Sequence, residues 1–163
     1  MRLAVVGCGD VGTSVLELAG EHGHEVVAVA DSGTAVVDDN GLDAGEVLSR
    51  KRSRGVVGGA DVEAALSADY DVLVESTPTT LGDAEPGFSH VERGLERDCH
   101  VVLANKGPVA ERYADVRALE ADSDGTVLFA RTTWRSRSRA RRTWENPGSA
   151  SPSVVGVAST SAS

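Results

Sequence analysis

Apolar residues along the first 130 positions form two alternating kinds of run. Short continuous runs at Leu3 to Val6, Val26 to Ala30, Asp71 to Glu75, His100 to Ala104 and Thr126 to Phe129 have the length and character of buried strands. Between them, apolar residues recur at helical spacing. Val11, Val15, Leu18 and Ala19 predict a helix from about Val11 to Glu21 with those residues on its buried face, ended by His22-Gly23-His24. Asp31 to Gly41 is polar and reads as irregular. Leu42 to Lys51 reads as a short helix carrying Val47 and Leu48, and Asp61 is placed to cap another with Val62, Ala65 and Leu66. Pro86-Gly87 precede a helix over roughly Phe88 to Arg97, and Pro108 starts one reaching about Ala121. Strand and helix in strict alternation predict an α/β fold: a doubly wound, mostly parallel sheet with helices on both faces.

The first strand runs directly into Gly7-Cys-Gly-Asp-Val-Gly12. A GxGxxG turn between strand and helix suits a pyrophosphate. The first glycine permits the turn, the second leaves room for the phosphates, and the third lets the helix pack against the strand. The helix N-terminus adds free N–H groups and the positive end of its dipole. Asp31 closes the second strand 19 residues after Gly12, where a carboxylate would meet an adenosine ribose. Gly7, Cys8, Gly9, Asp10, Val11, Gly12 and Asp31 are therefore the candidate dinucleotide-binding residues of a Rossmann-type domain, with the Asp10 side chain expected in solvent or capping the helix. In such a sheet, ligands lie beyond the carboxyl ends of the strands. Those ends also carry Ser76 to Thr79 and Asn105 to Gly107, so four segments should converge on one edge.

Charge changes the picture mainly at the C-terminus. The net charge of −9 combines −14 over residues 1–130 with +5 over residues 131–163. The acidic part, with only two lysines, disfavours nucleic acid and has the balance of a protein kept soluble at high salt. The Arg/Ser-rich stretch after Ala130 has no apolar period and predicts disorder. Three readings stand for it: a polyanion-binding arm, a linker, or a shifted reading frame of a longer gene. No apolar run reaches 18 residues, so no membrane span is expected, and the N-terminus enters a strand without a leader, the pattern of a cytoplasmic protein. Cys8 and Cys99 lack metal-site spacing and read as buried free thiols. His22, His24, His90 and His100 have no visible partners; His90 is expected on a surface helix and His100 partly buried. No metal site is expected.

Three segments together resemble one family. They are Val6 to Gly12, Glu75-Ser-Thr-Pro-Thr79 with Gly82-Asp-Ala-Glu-Pro-Gly87, and Val101-Val-Leu-Ala-Asn-Lys-Gly-Pro108. Over residues 1–130 the chain resembles the NAD(P)-binding domain of homoserine dehydrogenase. The resemblance implies exchange of L-homoserine and L-aspartate 4-semialdehyde with NAD or NADP, a small-molecule substrate, no nucleic-acid or membrane partner, and a homodimer. It implies that Lys106 transfers a proton beside the nicotinamide; a lysine desolvated next to a cofactor gives up its proton more readily. It places Thr77 on the ribose and nicotinamide side, and Asn105 as a loop-fixing residue. Asp31 favours NAD, whereas Arg50-Lys-Arg-Ser-Arg54, with Lys51, resembles a basic segment that approaches the 2′-position in some relatives. Beyond Phe129 the family pattern is absent, including its monovalent-metal segment and substrate domain, so little dehydrogenase activity is expected of this chain alone. An aspartate dehydrogenase-like enzyme and a non-catalytic nucleotide-binding module or decayed gene product are the alternatives.

Overall fold

The computed structural model describes residues 1–129, and the Arg/Ser-rich stretch, with the disorder expected of it, lies outside them. Six strands form one sheet in the order β3-β2-β1-β4-β5-β6. They are β1 (Arg2–Val6), β2 (Glu25–Asp31), β3 (Thr34–Val37), β4 (Val72–Glu75), β5 (His100–Leu103) and β6 (Val127–Phe129). All neighbouring pairs are parallel except β2 with β3. The helices are α1 (Asp10–Ala19), α2 (Ala44–Arg54), α3 (Val62–Leu66), α4 (Gly87–Leu95), α5 (Gly107–Glu111) and α6 (Tyr113–Ala121). The doubly wound α/β expectation holds.

Strand alternation divides the core into two layers. Leu3, Val5, Val29, Val72 and Val74 face Leu16 and Ala19 of α1 and Val47 and Leu48 of α2. Ala4, Val6, Val27, Leu73, Val101 and Leu103 face Leu66 of α3, Val91 and Leu95 of α4 and Val116 of α6. Each fully buried Val or Leu contributes about 1.5–3 kcal/mol of transfer free energy. With both faces covered, the strands read as continuous apolar runs rather than alternating ones.

The structure corrects several local expectations. On α1 the buried face is Gly12, Leu16 and Ala19, while Val11 and Leu18 are about half exposed. Gly12 has no side chain to mark it as apolar, so periodicity centres on the wrong face. The stretch after Asp31 contains β3, turned back on β2 through Ser32 and Gly33, both at positive φ. That is the two-residue turn suited to hairpin twist. The helix expected from Pro108 to Ala121 is two helices, broken at Arg112 (φ −130°, ψ 36°), whose guanidinium stacks over Phe88. His90 is buried rather than on a surface face, because α4 turns it toward the end of β4; His100 is exposed.

Candidate functional site

The doubly wound order changes direction between β1 and β4, which opens a crevice at their carboxyl ends. The glycine turn lies there. Gly7 has φ +91°, and a Cβ on it would lie 2.5 Å from the Ser76 carbonyl carbon. A Cβ on Gly12 would lie 1.9 Å from the Gly7 carbonyl oxygen, so the first turn of α1 packs directly on the loop. Around Gly9 the same test meets nothing within 4 Å. The turn is thus closed by backbone on the Gly7 and Gly12 sides and open at Gly9. Ser76 donates from its hydroxyl to the Gly7 carbonyl at 2.6 Å and from its backbone N–H to the Val6 carbonyl at 2.8 Å, tying the β4 loop to the turn.

The helix begins with Gly9 as N-cap and Asp10 as its first residue, without a side-chain cap. Asp10 is exposed and does not cap α1. The first intrahelical amide to find a carbonyl is Thr13, bonded to Gly9 at 2.9 Å, so the amides of Asp10, Val11 and Gly12 remain available to an anion. The Val11 side chain faces away, into a surface depression with Ser14 and Leu18. These features fit a pyrophosphate: an unobstructed approach at Gly9 and donors behind it.

Asp31 flanks the turn on the β2 side. Its carboxylate accepts from the Cys8 backbone N–H at 3.1 Å and pairs with Lys51 Nζ at 2.8 Å. Lys51 comes from the last turn of α2, a helix capped by Asp43 at one end and by left-handed Gly55 at the other. Its ammonium also donates to the Cys8 carbonyl. Acid and base therefore meet beside the glycine turn: the carboxylate can accept from a hydroxyl, and the ammonium can face a phosphate. Burial pushes the Cys8 thiol up, with Lys51 opposing the shift. Cys8 and Cys99 are both free and buried, as expected.

A cleft of about 620 Å³ extends from Gly7 and Asp31 past Thr77, Pro78 and Thr80 to Pro86 and His90. Gly7, Asp31 and Thr77 are thus brought to one cavity. The Thr77 hydroxyl donates to Glu75 and accepts from Asn105 Nδ2 at 3.2 Å. Asn105 is buried, and its Oδ1 accepts from the Gly107 N–H at 2.9 Å, which agrees with a loop-fixing role. Lys106 follows at the start of α5; its backbone N–H donates to Thr79 Oγ1 at 3.3 Å, and its side chain is exposed rather than desolvated among the described residues. The sequence assigns no role to two residues at the site, Glu75, which opens one of the resembling segments, and His90. Glu75 is fully buried, and His90 Nδ1 lies 3.5 Å from its Oε1. The signal for Glu75 was a lone acid ending an apolar strand.

No helix among the described residues is long and apolar enough to cross a membrane. Residues 1–88 match the model of the Glutamate/Leucine/Phenylalanine/Valine dehydrogenase family. The homoserine dehydrogenase of Methanocaldococcus jannaschii is 28% identical over 145 residues, covering 78% of this chain and 43% of the relative. The NAD(+)-dependent homoserine dehydrogenase of Pseudomonas canavaninivorans is 32% identical over 137 residues, covering 72% and 39%. A hyperthermophilic archaeal homoserine dehydrogenase in complex with NADPH shares the fold, with a TM-score of 0.66 at 20% identity, over 78% of this chain and 43% of that one. The chain spans about two fifths of the length of these relatives. The family match ends at α4, before Asn105 and Lys106, whereas the homoserine dehydrogenases match over a longer stretch. Both share the βαβ unit that carries the glycine turn and Asp31. Through residues 1–88 the chain belongs to the Glutamate/Leucine/Phenylalanine/Valine dehydrogenase family, and over 78% of its length it resembles the NAD(P)-binding domain of homoserine dehydrogenases.

Proposed function

We propose that residues 1–129 are the cofactor half of a homoserine dehydrogenase, binding NAD or NADP across the β1/β4 crevice. The observation that carries this reading is the single cleft joining Gly7, Asp31 and Thr77, with open space at Gly9 above free helix amides. The amides of Asp10, Val11 and Gly12 hold the pyrophosphate. Asp31 and Lys51 hold the adenosine ribose and its 2′-substituent, and Thr77 orients the other half. The cofactor, when bound, supplies the hydride acceptor for a substrate alcohol. Lys106 stands at the end of β5, where an ammonium can exchange a proton with a substrate hydroxyl once a substrate-binding segment desolvates it. Lys106 is exposed among the described residues, and homoserine oxidation at background rate is the outcome this reading expects where no substrate-binding segment covers it.

Isothermal titration of the 163-residue chain with NAD+, NADH, NADP+ and NADPH tests the site. Binding of at least one at micromolar Kd is expected. Failure of all four to bind below 1 mM, on the order of −4 kcal/mol, would sink the reading. Robust homoserine oxidation by the chain alone would contradict the division of labour proposed here.

A further inference from the structure

The glycine turn, Asp31 and Lys106 leave a buried acid unexplained. Glu75 ends β4 on the face that carries Leu73, and it is fully buried. Its Oε1 accepts from the Thr77 N–H at 3.1 Å and from the Thr77 hydroxyl, with His90 Nδ1 at 3.5 Å. Its Oε2 is buried without a partner among the described residues. A carboxyl group is costly to bury with one oxygen unsatisfied, and an apolar residue would serve the core better. Its neighbours suggest what it does. The Glu75 carbonyl accepts from the Ala104 N–H at 2.9 Å and from the Asn105 N–H at 3.3 Å. A Cβ on Gly87 would come within 2.4 Å of Asn105 Nδ2 and 3.3 Å of Glu75 Oε2, so α4 closes directly over the cluster.

The consequence falls on Thr77. Asn105 Oδ1 accepts from Gly107, which fixes its amide with Nδ2 toward Thr77. The Thr77 hydroxyl proton is committed to Glu75, and one of its lone pairs to Asn105. A second lone pair remains, so Thr77 can only accept from a ligand in the cleft. Sheet order sets which ligand half that is. Asp31 lies on the β2 side of the glycine turn, and Thr77 and Asn105 lie on the β4–β5 side. A dinucleotide with its pyrophosphate on the turn and one ribose at Asp31 must place its other half at Thr77.

We propose that Glu75 is a positioning residue for the nicotinamide half of the cofactor: its side chain takes up the Thr77 hydroxyl proton and so makes that hydroxyl an acceptor for a ribose O–H or a carboxamide N–H. The proposal rests on the cofactor reading above. The test compares NADH with ADP, which keeps the adenosine ribose and pyrophosphate but lacks the nicotinamide half, by titration of the full chain. Glu75→Leu and Thr77→Val should each lower the NADH-to-ADP affinity ratio by about tenfold, the size of one lost hydrogen bond, with ADP affinity unchanged. Glu75→Gln and Thr77→Ser keep the oxygen that matters and should retain the ratio. A merely structural role would weaken ADP and NADH alike, and that result overturns the proposal. So does a wild-type ratio in Thr77→Val, which decides the matter even where Glu75→Leu does not fold. ADP failing to bind the unaltered chain would instead overturn the cofactor reading on which the proposal stands.

Discussion

Gly9 and Gly12 belong to one motif, yet substituting them should have opposite consequences. In Gly12→Ala the new methyl would lie 1.9 Å from the Gly7 carbonyl oxygen and 3.0 Å from its carbonyl carbon. Both are backbone atoms, and Gly7 is itself confined, since its own missing Cβ faces the Ser76 carbonyl at 2.5 Å. No flexible side chain can yield at those two atoms, so α1 must move off the Gly7 turn by about an ångström or more. Overpacking of this kind costs about 1–3 kcal/mol, more when backbone must move. Alanine returns up to about 1 kcal/mol in helix propensity. A net loss of about 2 kcal/mol is expected, or a fall in Tm of about 6–10 °C for a domain of this size. In Gly9→Ala the methyl meets nothing within 4 Å and φ is −79°, so Tm should hold. The methyl then occupies the space a pyrophosphate needs, and cofactor affinity should fall at least tenfold, about 1.4 kcal/mol.

Thermal melts followed by circular dichroism, paired with NADH titration, separate the two effects. The expected pattern is a low Tm for Gly12→Ala and a normal Tm with lost binding for Gly9→Ala. Normal NADH affinity in Gly9→Ala would refute the assignment of that open space to phosphate. A neutral Gly12→Ala would show that α1 is not seated on the turn as described.

Lys51→Ala removes the cation paired with Asp31 and should weaken NADPH by about fivefold, about 1 kcal/mol, while NADH changes little; equal loss of both in parallel titrations would remove Lys51 from 2′-recognition. The −14 charge over residues 1–130 predicts a Tm that climbs with KCl as repulsion is screened, and full stability in low salt would count against it. Burial first of all pushes the pKa of the Cys8 and Cys99 thiols and the Tyr70 hydroxyl up, so each holds its proton to higher pH. The folded protein therefore keeps protons that the unfolded chain releases above about pH 8.5–10, and stability should decline through that window. Urea midpoints measured from pH 8 to pH 10.5 check this; a flat profile would refute it.

The elements that sequence reading locates well are those whose signal is local. Apolar runs locate five of the strands to within a residue, since a strand covered on both faces has little choice but to be apolar. Asp61 caps α3 as expected, with its Oδ1 accepting from Ala64 N–H at 2.9 Å. The errors arise where a neighbour decides. β3 is four residues long and exists because Ser32-Gly33 folds it back onto β2. The break at Arg112 goes with its stacking on Phe88, 24 positions away. On α1, the residue seated on the Gly7 turn is a glycine, which contributes nothing to an apolar pattern.

The site divides along the same line. The glycine turn and Asp31 are legible because their chemistry demands fixed residue types at fixed spacing along the chain. Thr77 and Lys106 are placed at the edge by strand-end position and given roles by family resemblance, Lys51 enters through resemblance alone, Glu75 stands in a resembling segment without a role, and His90 is found by neither route. In Glu75 and Thr77 the structure separates two roles that sequence merges. Thr77 lines the cleft, where the proposal has its hydroxyl meet a ligand; Glu75 is hidden and takes that hydroxyl's proton. A threonine read alone can donate or accept. Only the placement of a carboxyl group below it and an amide beside it removes one of those options. Those three residues lie on two different strand-end loops, and α4 seals the acid and the amide from a third segment. The polarity of a cleft group is therefore a property of the sheet order, and it follows that Thr77→Val and Glu75→Leu should fail in the same way although only one of them loses a ligand contact.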